Sequence, residues 1–184
     1  RKAGMPAMTL EYALNNNGVK TSEVNFDTSI DFASTTGAFI GGTGDYVSVF
    51  EPTASSLEKQ GVGYIVASIG ELGGTVPYTA YNARLSYIEN NKDVIKGFTK
   101  AIDKALVYVK EHSSSEIAEV ISSYFPDTSL NDITSIVDRY KNIDAWFGST
   151  TISENDFNHV MDIMENANEL TNRAPYEKLV TSIK

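Results

Sequence analysis

The sequence has no cysteine in its 184 residues, and this absence removes several classes of chemistry at once. Disulfide frameworks, thiolate nucleophiles and cysteine metal sites are all excluded. Long apolar runs are also missing, because no stretch approaches the ~18 residues that a membrane-spanning helix needs. The sequence therefore predicts a globular protein whose stability comes from packing.

Basic residues are in short supply. The chain has 15 Lys and Arg residues and 24 Asp and Glu residues, which gives a formal net charge of -9 and a pI near 4.7. A nucleic-acid-binding surface needs basic patches to neutralise phosphates, so we expect no nucleic-acid partner. The same balance argues against binding to an anionic membrane by charge alone.

The first third of the chain alternates between two hydrophobic periods. Helical spacing predicts helices at 6–16, 31–40 and 52–60, and alternating or β-branched runs predict strands at 24–28, 46–50 and 62–68. Strands that alternate with helices favour parallel pairing. The pattern therefore predicts an α/β lobe with a parallel-type mixed sheet.

The composition shifts at the glycine-rich stretch 70–77, where we place a domain boundary and a flexible connection. The predicted units are residues 1–75, an α/β lobe, and residues 76–184, a return strand followed by helices. The second unit contains an apolar stripe from Val94 to Val109 that predicts one long helix. Ser113, Ser129 and Ser153, each followed by an acid three positions later, predict three more helix starts.

Few residues have the spacing of a catalytic or metal site. His112 and His159 are interpreted as solvated helix residues, since neither belongs to a metal-binding pair. The glycines at 41–44 follow a predicted helix, which is the reverse of the order in a phosphate-binding loop, and no nucleophile elbow is present. We therefore expect no enzyme, no catalytic residue, no metal and no cofactor.

Candidate ligand contacts lie instead at helix starts and predicted strand ends. Gly4 and Met5 precede Pro6, where first-turn amides face outward at the positive end of a helix dipole. Glu51 ends a predicted strand, and its carboxylate has three readings: a ligand acceptor, an acid or base, or a charge that suits the helix beginning at Pro52. Tyr78 follows the glycine-rich connection and is expected to face a cleft.

Several segments carry a family resemblance. They are GMPAMTLEY (4–12), DTSIDF (27–32), GGTGDYV (41–47), VFEP (49–52), VPYTAY (76–81), SYIE (86–89) and, more loosely, APY (174–176). In these segments the chain resembles the substrate-binding proteins of ABC importers in the NMT1/THI5-like group, which includes nitrate, sulfonate, taurine and thiamine-pyrimidine binders.

The resemblance implies a type II periplasmic-binding-protein-like fold of two α/β lobes, with a small polar solute held between them for delivery to a membrane ABC permease. It implies an extracytoplasmic location, in the periplasm or as a lipoprotein anchored at the outer face of the membrane. Carried over by position, ligand contacts fall at Gly4 and Met5, at Thr28 and Ser29, at Phe50 and Glu51, and at Tyr78. A carboxylate at Glu51 suits an amine, amidine or aminopyrimidine better than nitrate or sulfonate.

Two alternatives remain at this point. One is a THI5-like pyrimidine-synthesising enzyme that shares the fold, although such enzymes are expected to use cysteines that this chain lacks. The other is a sensor module that reuses the fold. Because the sequence starts at Arg1 and enters predicted structure directly, we expect a fragment of a longer protein, and we expect incomplete lobes to favour dimers or domain swapping.

Overall fold

The computed structural model describes residues 2–182, and more than half of the chain is helical. The helices are α1 (Met5–Asn16), α2 (Phe32–Ile40), α3 (Thr53–Lys59), α4 (Ile69–Gly73), α5 (Leu85–Asn90), α6 (Lys92–Glu111), α7 (Ser114–Ile121), α8 (Leu130–Asn142), α9 (Glu154–Asn166) and α10 (Tyr176–Leu179). Short 3₁₀ turns lie at Thr21–Glu23 and Ser122–Tyr124.

The helix ends follow from local chemistry. The predicted helix starts are confirmed: Ser113 and Glu116 form a reciprocal capping box at the start of α7, and the Ser129 hydroxyl accepts from the backbone N–H of Asp132 at the start of α8. At the other end of α1, Gly18 takes a left-handed conformation with φ 78°, so that the next N–H bonds back to the carbonyl of Leu14.

The predicted α/β fold with a parallel-type sheet is wrong. Between residues 2 and 182 no segment is paired into a β-strand, including the predicted strands at 24–28, 46–50 and 62–68. These segments use their backbone donors locally: the N–H of Phe26 donates to the carbonyl of Val24, and the N–H of Ile65 donates to the Glu58 carboxylate.

Exposure gives the physical reason for this difference. Tyr46 and Tyr64 are 82% and 85% exposed, and no residue of either segment is fully buried. A strand-like pattern indicates only that a segment would suit a pleated, half-buried surface. A sheet forms only where a neighbouring strand also satisfies the backbone hydrogen-bonding groups of that segment. The sequence predicts a flexible connection at 70–77, whereas in the structure helix α4 occupies Ile69–Gly73.

The chain divides into two compact units. The first comprises the described residues up to Val76 together with His159–Arg173. In this unit α1 contacts α4 closely, because Gly73 has no side chain and leaves room for the methyl group of Thr9. Helix α1 also contacts the end of α9, where the Asn15 side chain donates to that of Asn166 at 2.9 Å. Its buried residues are Met8, Thr9, Ala13, Leu57, Gly73, Met161 and Ile163.

The second unit comprises Pro77–Asn158 and the described residues from Ala174 onward. Its core is an α7–α8 hairpin, against which the C-terminal part of α6 packs; the buried residues are Ile117, Ala118, Ile133 and Val137. The long α6 helix is confirmed, but Val94 and Phe98 near its start are 57% and 46% exposed. The side chain of Phe98 makes an edge-to-face contact with Tyr81, with ring centroids 4.8 Å apart.

Candidate functional site

A cleft of about 310 Å³ opens beside the first helix of the first unit. This volume is at the lower end of the range for small-molecule sites, so the cleft suits a small solute. Its lining combines apolar, hydroxyl and charged side chains; the residues are Lys2, Ala3, Ala7, Met8, Glu11, Phe26, Thr28, Ala167, Asn168 and Glu169.

The first wall of the cleft is one face of α1. Ala7, Met8 and Glu11 are spaced so that they lie on the same side of the helix. The chain enters α1 through Ala3, whose φ of 56° is left-handed, and then through Gly4 at the N-cap. The first turn of α1 thus lies beside this end of the wall.

The second wall comes from the end of α9. Asn168 has φ 58°, and its N–H bonds to the carbonyl of Glu165 while the N–H of Glu169 bonds to that of Met164. This is a Schellman ending, in which asparagine replaces the usual glycine. It turns the chain sharply after the helix and places Asn168 and Glu169 at the cleft.

A floor of apolar groups lies between polar ones. Met8 is buried and Phe26 is partly buried, whereas Glu11 is partly buried and accepts a hydrogen bond from the Thr21 hydroxyl at 3.2 Å. Lys2 and Glu169 are exposed at the rim. The arrangement suits a solute with an apolar body and polar ends, because carboxylates accept hydrogen bonds and the lysine ammonium donates them.

The predicted contacts at 28 and 29 have different surroundings. Thr28 lines the cleft. The neighbouring Ser29 turns to Asp27, whose carboxylate accepts from the Ser29 hydroxyl at 2.6 Å and from its N–H at 2.8 Å. Both hydrogen bonds favour the charged carboxylate and hold the pKa of Asp27 below its usual value, and the bond from the Ser29 hydroxyl has the larger effect. The Asp27 carboxylate and Ser29 therefore form a local turn next to the cleft residue.

The predicted contacts at Gly4 and Met5 lie at the start of α1, next to the cleft residue Ala3. Gly4 is the N-cap, and its carbonyl accepts from the N–H of Met8. The carbonyl of Met5 accepts from the buried hydroxyl of Thr9 at 2.8 Å. Both residues thus fix the start of the helix that forms the first wall.

Phe50 belongs to a second, smaller cavity in the same unit. This cavity of about 210 Å³ is lined by Phe32, Ala33, Thr35, Thr36, Ser48, Val49, Phe50 and Thr53. The rings of Phe32 and Phe50 are tilted against each other with centroids 5.8 Å apart. The neighbouring Glu51 carboxylate accepts from both the N–H and the hydroxyl of Ser55 at 3.0 Å, as a residue at a helix start does.

Within the first unit, Thr28 and Phe50 line different cavities. Thr28 lines the larger cleft, Phe50 lines the smaller one, and Tyr78 belongs to the second unit, where its side chain is 54% exposed. Ligand contact stays a prediction for all seven residues: Gly4, Met5, Thr28, Ser29, Phe50, Glu51 and Tyr78.

The comparison with known proteins gives the family. A family model described as the NMT1-like family matches residues 1–122. The chain belongs to the NMT1-like family. The resemblance seen in the sequence motifs is thereby confirmed.

A curated relative extends this family likeness over the chain. The NMT1-like chain is 41% identical over 181 residues to a protein of Bacillus subtilis (strain 168) named "Putative binding protein YtlA". The match covers 98% of this chain and 54% of the relative, so the chain spans about half the length of the curated relative it matches. No solved structure gives a significant match.

Sequence reasoning missed several cleft residues of this NMT1-like chain. Glu11 carried a usable signal, because it falls on the same face of α1 as Ala7 and follows the start of the helix by two turns. Phe26 and Glu169 carried none, since their positions depend on contacts between segments far apart in sequence, and Lys2 lies just before the predicted helix start.

His159 also differs from its interpretation as a solvated residue. Its side chain is 21% exposed, its Nε2 lies 2.7 Å from the carbonyl oxygen of Gly73, and its ring meets Tyr12 edge-on at 5.3 Å. These contacts fasten α9 to α1 and α4 within the first unit of the NMT1-like chain.

Residues 2–182 show neither a metal site nor a membrane-spanning helix. No group of three or more His, Cys, Asp or Glu side chains in this range is arranged to hold a metal ion. No helix in the same range is both long and apolar enough to span a membrane.

Proposed function

We propose that this NMT1-like chain is the solute-binding part of an ABC importer and that it binds a small polar organic solute in the cleft beside α1. In this role it releases the solute to a membrane permease without changing its covalent structure. It acts outside the cytoplasm, in the periplasm or at the outer face of the cell membrane.

The observation that carries the proposal is the mixed lining of the cleft. Met8 and Phe26 offer an apolar floor, while Thr28, Lys2 and Glu11 offer donors and acceptors around it. Small-molecule sites have this composition, an apolar surface with a few polar groups that orient the ligand. A volume of about 310 Å³ admits one small organic molecule.

The family supports binding as the activity. The chain belongs to the NMT1-like family, and its Bacillus subtilis relative is named as a binding protein. A protein that captures a solute for import must meet it outside the cytoplasm, which supports the proposed location. The resemblance to the NMT1/THI5-like group supports the proposal of an importer and a permease as partners.

A thermal-shift screen tests the proposal directly. The 184-residue chain is heated with aminopyrimidines, amines, sulfonates or nitrate, and the midpoint of unfolding is recorded. A solute present at about 100 times its Kd stabilises the folded state by about 2.7 kcal/mol, which raises Tm by about 5–10 °C in a chain of this size.

The variant Thr28→Val locates the site, because it removes one hydroxyl from the cleft and keeps the shape of the side chain. We expect it to reduce the shift caused by the bound solute, while Thr75→Val, an exposed threonine of the same unit, leaves the shift unchanged. The proposal fails if no small solute shifts Tm. A second measurement is the NMR spectrum of the ¹⁵N-labelled chain: the proposal also fails if a bound solute shifts amide resonances elsewhere and not those of Ala7, Met8 and Phe26.

A further inference from the structure

The charges that line the cleft are unequal. Its described lining contains two carboxylates, Glu11 and Glu169, and one ammonium group, Lys2. A solute that carries only negative charge would meet more repulsion than attraction among these three groups. The cleft is therefore biased towards ligands with positive charge.

The two carboxylates belong to different structural elements. Glu11 lies on α1, about 10 Å along the helix from Gly4. Glu169 follows the left-handed Asn168 at the end of α9. Both residues line the same cavity, so acidic residues from two separate elements border the cleft.

Glu11 is the better placed of the two to bind a ligand. Its side chain is partly buried, and the Thr21 hydroxyl donates to one of its carboxylate oxygens. An ionised carboxylate has about four acceptor positions, so this hydrogen bond orients Glu11 and occupies part of its capacity. Partial burial also reduces screening by salt, which strengthens its attraction for a cation.

The unit that contains the cleft has the same bias on a larger scale. Residues 1–76 and 159–173 contain eleven Asp and Glu against five Lys and Arg, a formal net charge of -6. One of these five, Arg173, is held by the carboxylates of Asp162 and Glu165 at 2.5 Å each. The summed field around the cleft therefore attracts cations and repels anions.

We propose, on the basis of the solute-binding function above, that the cleft selects solutes with a protonated nitrogen, such as an amine or an amidine. The nitrogen donates hydrogen bonds to Glu11 and Glu169. The apolar body of the solute lies against Met8 and Phe26, and Lys2 donates to an acceptor at its other end. Purely anionic solutes such as nitrate and simple sulfonates bind weakly.

Three probes of nearly equal shape test this selection. Benzamidine is a cation, benzamide is neutral and benzoate is an anion, so charge is the main difference among them. Each is titrated into the ¹⁵N-labelled 184-residue chain, and Kd is read from the amide shifts of cleft residues. We expect affinity to fall in the order benzamidine, benzamide, benzoate, with benzamidine weakened by added salt.

Substitution of the carboxylates assigns the effect. Glu11→Gln keeps the shape of the side chain and is expected to weaken benzamidine about fivefold while leaving benzamide nearly unchanged. Glu169→Gln, at the exposed rim, is expected to have a smaller effect in the same direction. Glu71→Gln makes the same charge change in the same unit, outside the cleft, and serves as the matched control.

The outcomes separate this inference from the proposed function. Equal affinities for the three probes, or a preference for benzoate, would overturn the charge selection while leaving solute binding intact. An equal loss of benzamidine affinity in Glu11→Gln and Glu71→Gln would also overturn it. Failure of all three probes, together with failure of the broader solute screen, would instead refute the cleft as a binding site.

Discussion

The contact between α1 and α4 gives a sharp prediction for the substitution Gly73→Ala. A Cβ atom added at residue 73 would lie 2.2 Å from the Cγ2 methyl of Thr9, far inside the normal contact distance. Thr9 is 6% exposed, and its hydroxyl donates to the carbonyl of Met5 at 2.8 Å. Rotation of the threonine away from the new methyl would break this hydrogen bond, so relief of the clash costs either the bond or the close packing of the two helices.

The expected cost follows from overpacking of a close contact. Methylene-sized insertions into packed interiors typically destabilise by about 1–3 kcal/mol, and we expect Gly73→Ala to lower the free energy of unfolding by this amount. Gly37→Ala, inside α2 with no atom within 4 Å of the added Cβ, is the matched control. We expect this control to be neutral or to stabilise by up to about 1 kcal/mol, because alanine favours helix.

A double-mutant cycle checks the cause. Thr9→Ser removes the clashing methyl and keeps the hydroxyl, and alone it should destabilise by about 1 kcal/mol through loss of one buried methyl group. Combined with Gly73→Ala, it should recover about 1 kcal/mol or more relative to the sum of the single changes. Urea unfolding followed by circular dichroism measures all four proteins. Simple additivity, or a Gly73→Ala protein as stable as the parent, would refute the reasoning.

Two further predictions concern exposed polar groups. Ser113→Ala removes the capping box of α7 and should lower the free energy of unfolding, measured in urea, by about 1 kcal/mol. The control Ser135→Ala removes a mid-helix hydroxyl that donates to the Asn131 carbonyl, and it should change this free energy by less than about 0.5 kcal/mol. Equal effects of the two substitutions would argue against the cap. The hydrogen bond from the Arg173 guanidinium lowers the pKa of Glu165 in the folded protein. The ion pair therefore stabilises the folded state fully at pH values above the usual glutamate pKa, and this stabilisation is lost as the pH falls through the lowered pKa of Glu165. Arg173→Gln should therefore raise the Glu165 pKa in a carboxyl NMR titration, and an unchanged pKa would contradict this assignment.

The helices show which parts of the fold the sequence could predict. The starts of α7, α8 and α9 could be predicted because in each case a serine hydroxyl accepts a hydrogen bond from the backbone N–H of an acidic residue three positions later. These interactions span three residues and need no tertiary contact.

The sheet shows where this reasoning ends. The segments at 24–28, 46–50 and 62–68 have strand-like patterns, yet they have no strand partners among the described residues. Pattern and propensity report how a segment would fit beside another strand, and they do not report whether that strand is there. The α/β prediction failed for this reason.

The cleft was predictable in part. Thr28, which the sequence singled out, lines the cleft, and Glu11 falls on the same face of α1 as the cleft residue Ala7. Glu169 was not accessible to such reasoning, because it reaches the cleft through the packing of α9 on α1, where Asn15 bonds Asn166 across 151 positions.

The sequence by itself determined the NMT1-like family, the acidic charge and the ends of the principal helices, since each depends on composition, motifs or neighbours within one turn. Tertiary structure alone decided that the strand-like segments stay unpaired between residues 2 and 182, that His159 fastens three helices, and that Glu11 and Glu169 share a cleft. These features depend on which distant segments pack together, and that choice is made by burial and backbone pairing across the whole unit rather than by any local pattern.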